Sequence, residues 1–598
     1  MPPSGGGGIN WRRSTTRRTS TSLDSLKLLI TRAFKVKTNV STLQQQQNNS
    51  NNHELKRNLG AIDLIFFGIG GVIGAGVFVL TGQAGREHAG PAVVLSYFIA
   101  TVTSIITACS YTEFAIQIPV AGSAYNYIAL TFGEYVAFIT GCNLALELTI
   151  AGAAIARGFT SYFSTLIGKT PNALRIEILE GIVEIDIVAF VLVVSLTVPL
   201  VLGMKETAKL NIVVTIASLI SVVFVLITGS TSVKKENWEP FVPPEFGIRG
   251  ILSGASMVFF AFVGFDTVAT LAEETKNPNI DLPIGILGSL VICGCLYCGM
   301  AAIITGMVKY KEIDVDAPFA VAFDNNHEHW ASVVVSFGAI FAITTSLLSS
   351  LMGQPRVYIA MARDGLIPDW FSEVSRTYGT PVNASIFTSV TTGLLALVVD
   401  IDILAQLVSI GTLSIFLSVN NGLLVRRYTP REATSYRERA PAIMRCLLLT
   451  ASCLIFSTLY FQGQPTWTLI VMTLFILAST LLFHTIEMEE LNVPKKGEFK
   501  TPLVPWVPAL GVLATSQLLV SLGVVAWIRY VVYTSVCSFG YLLANYIKIR
   551  NGTINWSEEI YDELTAAANS QFRRSGNEKV RFVELTDMIE SDDDDDDP

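Results

Sequence analysis

From residue 62 to residue 547 the chain is a succession of apolar stretches separated by short polar linkers. They cover approximately 62–82, 91–112, 124–151, 187–203, 211–230, 250–272, 284–306, 331–354, 384–399, 403–424, 444–462, 466–485, 507–528 and 530–547. A helix needs about 20 residues to cross the hydrocarbon core of a bilayer, so each stretch reads as a span, the shorter ones completed by polar residues at their ends. The expected fold is an all-α polytopic membrane protein with about 14 transmembrane helices. Charge supports this: Asp, Glu, Lys and Arg make up 15% of the 598 residues, against roughly 25% in a soluble domain. That is too little to cover a soluble surface of this size.

The polar segments set orientation. Residues 1–55 carry a glycine run, Gly5 to Gly8, basic pairs at Arg12, Arg13, Arg17 and Arg18, and a Gln/Asn tract from Gln44 to Asn52. They read as a disordered cytoplasmic arm, with Leu26 to Val36 as a short surface helix. No apolar signal region precedes residue 60. Lys56 and Arg57, the linker 355–383 with Arg356, Arg363 and Arg376, and the linker 425–443 with five arginines fall on one side in this count. Positive charge marks that side as cytoplasmic. The linker 158–186, with Glu177, Glu180, Glu184 and Asp186, falls on the other; Lys234 and Lys235 are the exception. Both termini are then cytoplasmic. The net charge of −8 is concentrated in the acid run Asp592 to Asp597, a solvated tail suited to trafficking adaptors. With no basic face along the chain, nucleic acid is not an expected partner. Eight cysteines and five histidines show no ligand spacing, so neither a metal nor another cofactor is expected.

Gly68-Ile69-Gly70-Gly71-Val72-Ile73-Gly74-Ala75-Gly76-Val77-Phe78 lies inside the first span. Close helix packing explains glycines along one face, but these cover every face. Each weakens a helix by roughly 1 kcal/mol, so the cluster reads as an unwound point. A zwitterion could satisfy the backbone groups freed there, its carboxylate on exposed amides and its ammonium on carbonyls. No Lys-Ser or Lys-Thr closes the glycines, which excludes a phosphate loop. Gly264 and Asp266 interrupt an aromatic run in the sixth span. Two interruptions five spans apart fit a pair of inverted five-helix repeats. Domains follow: the arm 1–55, a ten-helix core 56–425, four further helices 426–547 and the acidic tail 548–598.

Ionisable residues at membrane depth face a cavity or a partner. Glu134, Glu147 and Asp266 lie in or near spans, Glu113 at the end of the second, and Arg157 reads as a helix end. Glu147 is the deepest, either a structural carboxylate bonded between helices or a charge for a cationic guest. Asp266 can satisfy its own broken helix, and Glu134 can anchor the third helix at the interface. Gln354, Asn420 and Asn421 read as glue between helices.

These stretches resemble the cationic amino acid transporter family of the amino acid–polyamine–organocation superfamily, and in length and tails its plant branch. The likeness rests on Gly68 to Phe78, Glu87 to Ala92, Gly122 to Tyr125, Gly133-Glu134, Phe138 to Gly141, Phe260 to Pro278 and Pro355 to Leu366, and covers about residues 55–545. It implies the inverted-repeat transporter core over ten spans, with four C-terminal helices added. It implies substrate contacts at Val72, Ile73, Ala75 and Gly76 and at Phe260, Phe262 and Gly264. Glu147 matches a carboxylate near the cationic end of the substrate in bacterial relatives, and Glu134 falls on a functional Gly-Glu motif. Gly74, Glu134 and Asp266 are candidates for gating or coupling. Where proton-coupled bacterial relatives place a lysine in the fifth span, this chain has Ser218. Proton coupling through a carboxylate and uptake driven by membrane potential both stay open.

The resemblance implies a secondary transporter of arginine, lysine and ornithine, with some neutral amino acids, working by alternating access. The alternative is an amino acid sensor or channel-like protein on the same fold. No nucleophile–base–acid set lies at one membrane depth, so an enzyme is not expected. The expected membrane is the plasma membrane, with the vacuolar membrane as the alternative.

Overall fold

In a computed structural model, the protein is described over residues 59–550 apart from 119–122, 180–182, 203–206, 270, 273–274, 376–379, 400, 431–435 and 487–497. The N-terminal arm, Gly122, Glu180, Glu273, Glu274 and the acid run of the tail lie outside the described residues.

The apolar stretches fall on helices, because in a bilayer a backbone can satisfy its own polar groups only by hydrogen bonding within the segment. In chain order they are α1 (Ala61–Val72), α2 (Ala75–Phe78), α3 (Leu80–Ala84), α4 (Val93–Gln117), α5 (Ala124–Thr131) and α6 (Glu134–Leu166). A two-stranded antiparallel hairpin follows, β1 (Ile176–Leu179) and β2 (Val183–Ile185), pairing Ile176 with Ile185. Then come α7 (Ile187–Leu202), α8 (Thr207–Thr231), α9 (Gly247–Val258), α10 (Phe265–Ala269), α11 (Pro278–Met307), α12 (Pro318–Asn325) and α13 (His329–Arg363). The chain continues through α14 (Val382–Val398), α15 (Ile401–Arg427), α16 (Tyr436–Gln462), α17 (Thr466–Leu481), α18 (Trp506–Ser521) and α19 (Val524–Arg550). Among the described residues nine helices are long and apolar enough to cross a membrane, and α18 with α19 make a tenth if that pair, bent by 106°, is one span. The protein is a polytopic all-α membrane protein.

Three boundaries differ from the sequence reading. The third stretch is two helices, and α6 runs on to Leu166, so Arg157 is not a helix end. It is buried, 3.3 Å from Glu184 in β2, and donates to the Val399 carbonyl at 2.8 Å. A charge inside an apolar helix reads as a boundary when its partner, 27 residues on, is unseen. The helix through Gln354 continues to Arg363. The last pair breaks at Leu522 and Gly523, whose φ is 84°, while Arg529 and Tyr530 lie inside α19.

The core forms where α6 packs along α13 and α15, and where α11 packs along α4 and α1. Amides join helices there: Gln354 donates to the Leu148 carbonyl at 2.8 Å, Asn420 to Thr107 at 3.0 Å, and Asn421 to Thr450 at 3.0 Å. At the hairpin end of the molecule, Arg175 lies 3.0 Å from Asp316, 3.6 Å from Glu184 and 3.7 Å from Asp186. Burial pushes the Asp186 carboxyl up from its ordinary range, against the pull of the Ala189 amide, Thr160 and both arginines. At the opposite end Glu113 is fully buried, with Arg427 at 2.7 Å and the Thr501 amide at 2.7 Å.

Candidate functional site

Two helices break at the same place in the core. α1 ends at Val72, Ile73 and Gly74 are extended (φ −73° and −164°), and helix resumes at Ala75. The backbone at Gly74 suits any residue, so space decides: a Cβ there would lie 2.5 Å from Ser346 Cβ and Oγ on α13. The second break follows α9. The chain tightens into a 3₁₀ turn at Phe259–Phe262, extends at Val263 (φ −61°, ψ 133°), and turns at Gly264 with φ 116° before α10. That φ favours glycine, and a Cβ on Gly264 would sit 2.7 Å from the Gly71 carbonyl oxygen. A Cβ on Gly76 would meet Ala261 in the same way. The glycines let the two breaks touch backbone to backbone.

Freed polar groups must be satisfied inside the protein. Tyrosine hydroxyls take the carbonyls: Tyr97 donates to Gly76 at 3.2 Å, Tyr162 to Phe78 at 2.6 Å, and Tyr297 to Val72 at 2.8 Å with Ala261 at 3.2 Å. The Asp266 carboxylate takes amides, those of Gly264, Thr267 and its own residue. Asp266 therefore caps its own broken helix. The amides after Gly74 open a new helical segment, where the first turn has no intrahelical carbonyl to bond.

Between the breaks lies a cavity of about 20 Å³. A water needs about 10–15 Å³, so this space holds a water and not an amino acid. Val72 and Gly76 line it from the first break, Phe260 and Gly264 from the second. Ile73, Ala75 and Phe262 are buried beside it but do not line it: Ala75 faces Gly158, and the Phe262 ring packs on Tyr297 at 5.3 Å. Leu148, Ala151 and Ile155 of α6 form one wall, and Ser346, Ser349 and Ser350 of α13 face them. The serines were not singled out in the sequence. Their signal was there: three hydroxyls at i, i+3 and i+4 on one face of an apolar helix.

Glu147 is next to Leu148 but turns toward α15, where it faces Thr412 and lies over Gly411. Its charged neighbour is another acid, Asp266. Among the described residues no Lys or Arg forms an ion pair with either. The Tyr111 and Tyr127 hydroxyls are buried in the field of Asp266 without a hydrogen-bond partner among the described residues. Glu134 lies elsewhere. It opens α6, 13 residues from Glu147, or about 20 Å at 1.5 Å per residue, and accepts from Tyr541 of α19 at 3.1 Å. Ser218 donates to its own helix at Val214, 2.8 Å. Among the described residues no group of three His, Cys, Asp or Glu side chains is placed to hold a metal ion.

The family model described as Amino acid permease matches residues 59–481, and the one described as the C-terminus of AA_permease matches 499–548. Cationic amino acid transporter 1 of Arabidopsis thaliana is 38% identical over 494 residues, 82% of each chain. The chain belongs to the cationic amino acid transporter family. Within its plant branch, cationic amino acid transporter 4, vacuolar, of Arabidopsis thaliana is 33% identical over 83% of this chain and 92% of its own. Branched-chain amino acid permease BcaP of Bacillus subtilis (strain 168) is 40% identical over 63% of this chain and 82% of its own.

Proposed function

We propose that the chain is a secondary transporter of cationic amino acids, arginine, lysine and ornithine, with some neutral ones. The observation that carries this is the meeting of two broken helices at one cavity, with two carboxylates beside it that no Lys or Arg among the described residues pairs. The substrate carboxylate binds the amides after Gly74, and its cationic side chain reaches toward Glu147 and Asp266. Ten spans, with α1–α3 opening the first and α9–α10 the sixth, form two inverted repeats, and the last four of fourteen surround them. Alternating access follows from rocking the bundle of broken helices against the rest. One positive charge moving into a negative interior gains about 2.3 kcal/mol per 100 mV, which concentrates a cation without a coupled ion. Neutral substrates need one, and the carboxylates are the groups available for proton coupling.

Counterflow of labelled arginine in proteoliposomes tests this, with unlabelled lysine, ornithine, leucine and glutamine as competitors and with imposed pH or potassium-diffusion gradients. Arginine exchange responsive to potential is expected. Bound arginine without flux would turn the reading to a sensor, and leucine exchange alone would turn it to the substrates of the bacterial relative's name. The working membrane is the plasma membrane, where the cytoplasm is the negative receiving side; a tagged protein seen only with a vacuolar marker would overturn that.

A further inference from the structure

The tyrosines at the two breaks are not equivalent. Tyr97 and Tyr162 each bond a carbonyl of the first break, and Tyr97 also lies 2.7 Å from the Thr81 hydroxyl. Tyr297, from α11, lies between the breaks: its hydroxyl is 2.8 Å from the Val72 carbonyl oxygen, where α1 ends, and 3.2 Å from that of Ala261, inside the 3₁₀ turn that precedes Gly264. It is fully buried, and its ring is held edge-on by Phe262 at 5.3 Å and by Tyr97 at 5.6 Å. Gly71 meets Gly264 backbone to backbone, and Gly76 meets the Cα and methyl of Ala261. Val72 and Gly264 both line the cavity.

We propose that Tyr297 is a positioning residue for the substrate: one hydroxyl, bonded to carbonyls freed at both broken helices, sets their separation and so the width of the site that grips an amino acid. This rests on the transport reading above. Because one proton serves two carbonyls, the hydroxyl shifts between them as the breaks move and keeps both helices in one body while the cavity opens. Engaging these carbonyls with protein also leaves the amides after Gly74 as the unspent polar groups facing a ligand. The site is thus biased toward the substrate carboxylate.

Tyr297→Phe keeps the ring and removes the hydroxyl. Two readouts separate this proposal from the transport reading. The first, hydrogen exchange, needs no substrate: in Tyr297→Phe the amides of 72–77 and 261–267 should exchange faster together, by about tenfold as loss of a buried hydrogen bond implies, while α16 and α17 stay unchanged. In Tyr97→Phe the rise should be confined to 72–77. Unchanged exchange at either break in Tyr297→Phe overturns the proposal whatever the protein transports, and so does a rise spread evenly over the chain. The second is arginine uptake per reconstituted molecule, which should show KM raised by about tenfold and maximal rate within about twofold. Loss of maximal rate at constant KM overturns the positioning role. If wild-type protein carries no amino acid, the transport reading fails and the exchange result alone decides whether Tyr297 ties the breaks.

Discussion

At the scale of single residues, space and charge at the breaks make separable predictions. Gly74 is required for room, not for backbone freedom, since its φ of −164° is open to any residue. Gly74→Ala should therefore cut arginine uptake by about 5- to 150-fold, by the 1–3 kcal/mol scale of overpacking. Ser346→Gly in the same chain should restore part of it, because the clash is with Ser346 Cβ and Oγ. Uptake per surface molecule measures both, and no recovery in the double variant would place the fault in helix geometry. Glu147 differs. Its place beside Thr412 and outside the cavity lining fits a structural carboxylate, while the nearness of Asp266, with no Lys or Arg paired to either among the described residues, fits a charge for a guest. Glu147→Gln keeps size and bonding capacity. Arginine and lysine uptake should fall roughly 5- to 30-fold, as loss of a hydrogen bond to charge implies, with leucine or glutamine much less affected. Equal loss for both classes in competition curves would make the acid structural.

At the scale of elements, the hairpin end is held by charge. Asp316 precedes α12, whose Phe319 ring meets Phe78 of α2 at 6.1 Å, so the ion pair with Arg175 anchors the helix that covers the first break. Asp316→Asn should speed hydrogen exchange over 314–325 by about fivefold, the equivalent of ~1 kcal/mol. No change would show that Phe319 packing alone holds α12 down. This network also marks where sequence stopped being legible. The apolar stretches and the glycine cluster were readable because each is local: a run of apolar residues must span, and glycines on all faces must weaken a helix. Arg157 was misplaced because its partners, Glu184 and the Val399 carbonyl, come from other elements. Ser346, Ser349 and Ser350 went unremarked because the direction a hydroxyl faces is fixed by packing. Four of the eight expected contact positions, Val72, Gly76, Phe260 and Gly264, line the cavity; which neighbours turn aside depends on how the helix re-forms after the break.

At the scale of the whole molecule, α19 is joined along α6, the helix that forms one wall of the cavity. Asn143 donates to Tyr530 at 3.1 Å, Tyr533 to the Cys142 carbonyl at 2.7 Å, and Tyr541 to Glu134 at 3.1 Å, with Ser538 at 2.9 Å from the Tyr135 hydroxyl. Tyr533→Phe with Tyr541→Phe should lower stability by about 2 kcal/mol and leave KM unchanged, checked by thermal unfolding in detergent beside uptake; a raised KM would bring α19 into the site. The near-closed cavity has a consequence for affinity itself. At about 20 Å³ it has no room for an amino acid, so binding requires a wider form of the site. If molecules in that form are about one in a hundred, the dissociation constant observed is about a hundredfold weaker than that of the open site. A variant propped open would then bind its ligand more tightly, by the same factor.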